Sequence, residues 1–321
     1  MFIRPITPEE TDQYGQLASA HGSVFSHPSW TGLFGNSIVL YGIYDKGEKL
    51  TGGFALNHSR ILGFPYYTNP PITPSIGLFY QNPATNPAQR LGHDKEVLTG
   101  LAALIRKKKF ALHRLCLPTG ILDMQPFIWE KIKVIPHFTY RIELGRTEEE
   151  LFSALSYKFR NNIRKAQSDG ITCRKIENSP AVESMILEAF RKQKIRISEN
   201  HIRSILGGFA RPDNSMFFGS FMGESMVSVS FSVFDTSTAY YLFGGTHATD
   251  RHEGAGVLAL WESIKHARQQ GLKIFDLEGS MIPRIEKYFR GFGGTLTPYY
   301  TLNNAPIPVE MILKLFKKEL F

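Results

Sequence analysis

The chain has 321 residues, 42% of them hydrophobic and 21% charged, proportions ordinary for a globular protein. At that length it buries about three quarters of its unfolded surface, which excludes a disordered segment, a collagen-like fibre and a small disulfide scaffold. The 37 Lys and Arg against 29 Asp and Glu leave +8, a modest excess that favours anionic partners such as phosphates, nucleic acid or lipid headgroups. Cys116 and Cys173 stand apart, with no CxxC pair and no metal-spaced histidines, so no metal is expected. No stretch reaches the roughly 18 uncharged apolar residues of a membrane span. The opening MFIRPITPEE lacks the apolar run of a signal peptide, so the expectation is a cytoplasmic protein.

A short strand is expected over 2–5, then a helix over 7–20. That helix opens on Thr7-Pro8-Glu9-Glu10, an N-cap, a first-turn proline and early acids. Stretches 38–44 and 49–56 alternate in polarity around Asp45-Lys46-Gly47-Glu48, a hairpin. From 64 to 87 proline and aromatic residues dominate, and X-Pro steps favour extended or turn backbone. A helix over 88–108, a strand over 110–117, a short helix over 123–131 and a strand over 134–144 follow. In the second half a helix over 148–169 closes at Gly170. Helices over 180–194 and 199–209, strands over 216–222, 225–235 and 239–244, a helix over 254–270, a strand over 273–277, a helix over 283–290 and a strand over 295–301 complete it.

The halves share one order: helices, an antiparallel meander, a long helix, a strand, a helix, a strand. This reads as a duplication with its boundary at 145. The expected fold is α/β (α+β), with two tandem domains, 1–145 and 146–321, each a mixed, mostly antiparallel sheet flanked by helices.

Arg251-His252-Glu253-Gly254-Ala255-Gly256 stands at a strand-to-helix turn. Glycines there let the backbone approach a ligand, and the first helical N–H groups face an anion at the positive end of the helix dipole. Arg251, His252, Gly254, Ala255 and Gly256 are thus candidate cofactor-binding residues. From these six residues alone, a glycine-rich turn with no ligand is an equal alternative.

The order of strand, R-x-x-G-x-G, long helix ending in glycine, and strand over about 215–302 resembles the GNAT acyltransferase superfamily. That resemblance implies a loop that holds the pyrophosphate of an acyl-coenzyme A. Leu155-Ser156-Tyr157-Lys158-Phe159-Arg160-Asn161-Asn162-Ile163-Arg164-Lys165-Ala166 resembles a helix of the FemABX-like branch. Phe275-Asp276-Leu277-Glu278-Gly279-Ser280 with Tyr288-Phe289-Arg290-Gly291-Phe292-Gly293-Gly294 is similar to its C-terminal signature, and Phe25-Ser26-His27-Pro28-Ser29-Trp30 to its N-terminal one. The branch is built from two tandem GNAT-like domains. It implies transfer of an acyl or aminoacyl group from acyl-CoA or aminoacyl-tRNA to an amine, with a cell-wall precursor as one acceptor.

Two departures stand out: Phe289 replaces a cation of the branch, and the long helical-hairpin arm of some members is absent. The first-half loop 82–87 lacks the glycine pair. The second half is therefore assigned to the donor, and the first, degenerate, half to the acceptor.

Asp276 and Glu278 at a strand end are candidate base or amine-binding carboxylates. Helix capping, or pairing with Arg290 or Lys287, is their alternative. Tyr288 or Tyr241 is the candidate to return a proton to the leaving group. Lys158, Arg160, Arg164 and Arg290 are candidate substrate-binding cations, with Arg160 and Arg164 one turn apart; a solvated helix face is the other reading. Trp30 and Tyr67 are candidate substrate-side aromatics, against plain core packing. The basic, amphipathic segment 309–321 suits either a membrane surface or the protein body. The competing function is a non-catalytic binding module for nucleotide, tRNA or acidic lipid headgroups.

Overall fold

A computed structural model describes residues 1–61, 63–108, 112–193, 197–247, 249, 252–279, 281–306 and 310–311. In chain order the first elements are β1 (Phe2–Pro5), α1 (Thr11–His21), α2 (Pro28–Thr31), β2 (Ile38–Tyr44), β3 (Leu50–Ile61), β4 (Phe64–Thr68) and β5 (Phe79–Tyr80). Next come α3 (Pro87–Lys107), β6 (Leu112–Cys116), α4 (Gln125–Trp129), β7 (Lys133–Glu143), α5 (Glu148–Ala154), α6 (Tyr157–Ser168), β8 (Ile171–Ile176), α7 (Pro180–Lys192) and α8 (Glu199–Arg203). The last are β9 (Ser215–Met222), β10 (Ser225–Phe234), β11 (Thr238–Thr246), α9 (Ala255–Gln269), β12 (Ile274–Asp276), α10 (Pro283–Arg290) and β13 (Thr295–Asn304).

The chain forms two compact units, Met1–His137 with Pro298–Phe321, and Phe138–Thr297. In the first, β1-β2-β3-β4 pair antiparallel, β4 and β6 parallel, and β6 antiparallel with Thr301–Asn304 of β13. In the second, β8-β9-β10-β11 pair antiparallel, β11 and β12 parallel, and β12 antiparallel with Arg141–Glu143 of β7. Among the described residues each unit thus carries one parallel pair, and a long helix crosses over between its strands: α3 from β4 towards β6, α9 from β11 to β12. A parallel pair demands such a crossover. The single cut expected at 145 becomes two crossings, at 137/138 and 297/298. Each repeat's last strand belongs to the other unit's sheet, so 298–304 leaves the second domain and 138–143 joins it.

In the first unit, Val97, Leu98, Leu101, Ala102 and Ile105 form the apolar stripe of α3, packed with Tyr41, Phe54 and Leu56 of the sheet. In the second, α9 buries Val257, Leu258, Leu260, Trp261 and Ile264 against Phe218, Val227 and Phe275, with Phe159, Ile163 and Ala166 of α6. Small polar residues line the contact below α9: Ser220 Oγ donates to Ala255 O (2.8 Å), and Ser230 and Ser263 hydroxyls meet at 3.0 Å.

The single helix expected over 148–169 is two. Ser156, with extended ψ of 150°, caps α6 and accepts from Phe159 N–H. Arg160 Nη1 donates to Ser153 O (2.7 Å) and Leu155 O (2.6 Å), satisfying carbonyls at the end of α5. Likewise 199–209 is the short α8 followed by a π-turn over 204–209. Apart from Glu310 and Met311, the amphipathic segment 309–321 lies outside the described residues.

Candidate functional site

The glycine loop sits where it can serve a ligand, but its two glycines face different neighbours. Gly254 is the N-cap of α9 and offers no side-chain cap. A Cβ there would lie 2.1 Å from Asn162 O and 2.8 Å from Ala166 Cβ, so this glycine lets α9 start hard against α6. A Cβ on Gly256 would meet Ser228 Oγ and Thr246 Cγ2 at 3.5 Å and Tyr288 Oη at 3.8 Å, ordinary contacts across open space. Those same residues, with Tyr241 and His252, line a cavity of about 360 Å³.

Strand geometry opens this cavity. β12 pairs with β11 only at Thr238–Tyr240, so beyond Tyr240 the two strands part. The remaining β11 residues are hydrogen-bonded to β10 alone among the described residues, and their outer edge is left unpaired. The register shifts between Phe231 and Ser232, which face Phe243 and Tyr241; Leu242 is the extra residue of a bulge. Bulges re-aim side chains near active sites. Here the Tyr241 hydroxyl lies 1.9 Å from where a Gly244 Cβ would stand. Gly244 thus leaves room for the Tyr241 hydroxyl and Gly245 lines the cavity itself, and loop motifs flag neither.

Tyr241 and Tyr288 both line the cavity. Burial pushes the pKa of both phenols up, and their proximity raises Tyr288 further. Both are held protonated, as hydrogen-bond donors. His252 props the loop: its Nδ1 accepts from Gly254 N–H (3.1 Å) and its Nε2 stands 3.0 Å from Asp169 Oδ2 at the end of α6. With Nδ1 accepting, Nε2 is the nitrogen that carries the proton. Glu253 also lies at the cavity wall. Ala255 is buried at the helix start, and its N–H bonds to His252 O. Arg251 lies outside the described residues.

Asp276 ends β12 and is 2% exposed. Its Oδ1 accepts from Thr139 Oγ1 (2.6 Å) and Glu278 N–H (3.0 Å), and its Oδ2 is 3.3 Å from Arg141 Nε. Both oxygens are thus engaged. Glu278 adopts φ +57°, an uncommon conformation for a side-chain-bearing residue. Burial, and then the neighbouring Asp276, raise its carboxyl well above the usual range, against the opposing Arg141. Neither carboxylate caps the next helix; the partner of Arg290 is instead Glu286 (3.1 Å), which also accepts from Tyr140 Oη (2.7 Å).

The cationic candidates on α6 are not beside this cavity's walls. Arg160 and Arg164 line a separate groove of about 520 Å³ with Glu148, Glu149, Trp261 and Lys265. Arg164 lies over the Phe152 ring at 5.5 Å, and Lys158 is exposed. Trp30 is a core residue at 0% exposure, its Nε1 donating to Thr73 Oγ1 (2.9 Å) and its ring set edge-on to Phe25; it is closed to substrate. Tyr67 belongs to the first unit, stacked on His113 at 5.0 Å, with its hydroxyl accepting from Lys108 Nζ (3.1 Å). Among the described residues no group of three or more His, Cys, Asp or Glu is placed to hold a metal ion, and no helix is long and apolar enough to cross a membrane.

Residues 153–290 match a family model described as an acetyltransferase (GNAT) domain. Over the whole chain the fold is similar to the crystal structure of FemX, with TM-score 0.68 and 11% identity, covering 98% of this chain and 100% of that one. It is similar to the C-terminal domain of a putative lysylphosphatidylglycerol synthetase from Agrobacterium fabrum, with TM-score 0.58, 10% identity and 95% of each chain covered. A tandem GNAT protein from the clavulanic acid biosynthesis pathway aligns at TM-score 0.51 and 12% identity, covering 94% of this chain and 98% of that one. At such identities the likeness is one of fold. No curated protein matches the sequence.

Proposed function

We propose that this chain, which carries a GNAT domain over residues 153–290 and has the fold of tandem GNAT proteins, is an N-acyltransferase. Its donor is an acyl-CoA or an aminoacyl-tRNA, seated in the second unit, and its acceptor is an amine. The observation that carries this reading is a contrast between the two crossover helices. The N-terminal amides of α3 are occupied by their own cap, Asn86, which accepts from Ala88 and Gln89 N–H. In α9 the Gly254 and Ala255 N–H groups are taken by His252, but no side-chain cap covers those of Gly256 and Val257, which line the cavity. Of the two, α9 is thus the one whose first turn, at Gly256 and Val257, has amides to offer a phosphate among the described residues.

In this reading the amine lone pair attacks the acyl carbonyl carbon, a C–N bond forms, and the C–S or C–O bond to the leaving group breaks. The parted edge of β11 supplies backbone N–H groups that hold the donor in place and stabilise the developing oxyanion. Tyr288 or Tyr241 gives its phenol proton to the leaving sulfur or oxygen and recovers one from solvent, balancing the proton that passes from the amine to Glu278. Glu278 receives the proton that the amine sheds; burial and Asp276 make its carboxylate a stronger base than an ordinary one. Asp276 and Thr139 hold the Glu278 backbone in position. The first unit is assigned to the acceptor, and FemX-like folds make a cell-wall precursor the first amine to try.

Calorimetric titration with acetyl-CoA, longer acyl-CoAs and aminoacyl-tRNA tests the reading. One donor is expected to bind the wild type, and Gly256→Val to weaken that binding at least about tenfold, roughly 1.4 kcal/mol, with an unchanged melting temperature. Undiminished binding by Gly256→Val refutes the cavity assignment. Binding without transfer to any amine returns the chain to a binding module.

A further inference from the structure

Away from the cavity, the first unit exposes four large apolar side chains around one lysine. Leu122, Ile128 and Trp129 are 62%, 59% and 62% exposed, and Leu91, one turn before Lys95 on α3, is 64% exposed. Lys95 lies among them: its Nζ is 4.9 Å above the Trp129 ring and bonds Gln125 Oε1 (2.7 Å) and Asp123 Oδ2 (2.5 Å). Isolated exposed apolar residues need no explanation, but a group of them marks an interaction surface.

The rim of this group is basic. Arg106 on α3 reaches Glu130, the residue after Trp129, at 3.9 Å. Lys131 and Lys133 are exposed and have no ion pair among the described residues. Lys95, Arg106, Lys131 and Lys133 thus stand about the apolar group against Asp123 and Glu130. The two acids nearest the apolar group, Asp123 and Glu130, are already opposed by Lys95 and Arg106.

We propose that this face, Leu91, Leu122, Ile128 and Trp129 with Lys95, Lys131 and Lys133 about them, docks on an anionic lipid bilayer. Protein interfaces deplete lysine from their centres, whereas exposed lysines beside aromatic and aliphatic side chains raise their ammonium groups into a headgroup layer. Lys131 and Lys133 are placed to do this, while Lys95, held by Asp123 and Gln125, fixes Trp129. Tryptophan with aliphatic neighbours enters the headgroup boundary, and the basic rim is drawn to negative lipid. The proposal stands apart from the transfer reaction and does not depend on it.

Trp129 is a built-in reporter, because the other two tryptophans, Trp30 and Trp261, are 0% and 4% exposed. Titrating the full chain with vesicles of phosphatidylcholine containing phosphatidylglycerol is expected to shift its emission to the blue and saturate. Vesicles of phosphatidylcholine alone are expected to act far more weakly. By flotation, Leu122→Ser with Ile128→Ser should cut partitioning at least about tenfold while leaving the melting temperature unchanged, since both side chains are exposed. Lys131→Glu with Lys133→Glu should remove the preference for the anionic lipid and the salt sensitivity. No blue shift and no flotation overturn the proposal. Concentration-dependent self-association abolished by the same serine variants, without vesicle binding, also overturns it and gives the face to a second copy of the chain.

Discussion

Gly254 and Gly256 are two residues apart and respond oppositely to a methyl group. At Gly254 the added Cβ would meet backbone, Asn162 O at 2.1 Å, which cannot move without shifting α6. Overpacking of this kind costs about 1–3 kcal/mol, so Gly254→Ala should lower the melting temperature by several degrees. Gly256→Ala makes only ordinary contacts and should melt within about a degree of wild type. Equal melting of the two variants in a thermal scan would contradict the geometry. The motif R-x-x-G-x-G marked both glycines in the sequence, yet which one packs and which one lines the cavity depends on α6, 90 residues away. Trp30 illustrates the same limit: the resemblance carried by Phe25–Trp30 was visible, but its indole's burial was not.

Glu278 makes a pH-dependent prediction. Burial and Asp276 raise its native pKa, so the folded chain keeps a proton that the unfolded chain releases near pH 4.3. Its contribution to stability is therefore undiminished below that value, declines as pH rises towards the raised native value, and is flat beyond it. Glu278→Gln should match wild type in melting temperature near pH 4 and exceed it at pH 8. A variant no more stable than wild type at pH 8 would show that the carboxyl is not destabilised by burial.

At the scale of elements, Arg160 and Arg164 separate. Arg160 closes α5 through two carbonyls, and hydrogen bonds from a charged group contribute about 1.5–3 kcal/mol. Arg160→Met should lower the melting temperature by several degrees, whereas the exposed Arg164→Met should leave it in place. Unchanged melting of both variants would return Arg160 to the solvated face that periodicity alone suggests. The helix starts at 148 and 180 were legible, and each is set by a local side-chain cap, Thr147 and Ser179. The break at Ser156 was not, since it is stabilised by Arg160 reaching back and by Ser156 N–H bonding Gly291 O.

At the scale of the molecule, the duplication was legible from element order, but the exchange of last strands was not, because pairing partners lie far apart in sequence. Leu302 is fully buried in the first unit's core, and Thr301–Asn304 pairs with β6. A fragment 1–145 should therefore lack a cooperative melt, and a fragment extended by a linker to 298–306 should regain it. Cooperative melting of 1–145 alone would refute the exchange.

The central claim is that a donor lies along the parted edge of β11 with its phosphate at the first turn of α9. Hydrogen–deuterium exchange of the full chain, with and without the donor that calorimetry selects, tests it most directly. The account predicts slowed exchange concentrated in 241–246 and 254–258. Slowed exchange elsewhere, with both segments unchanged, would contradict it.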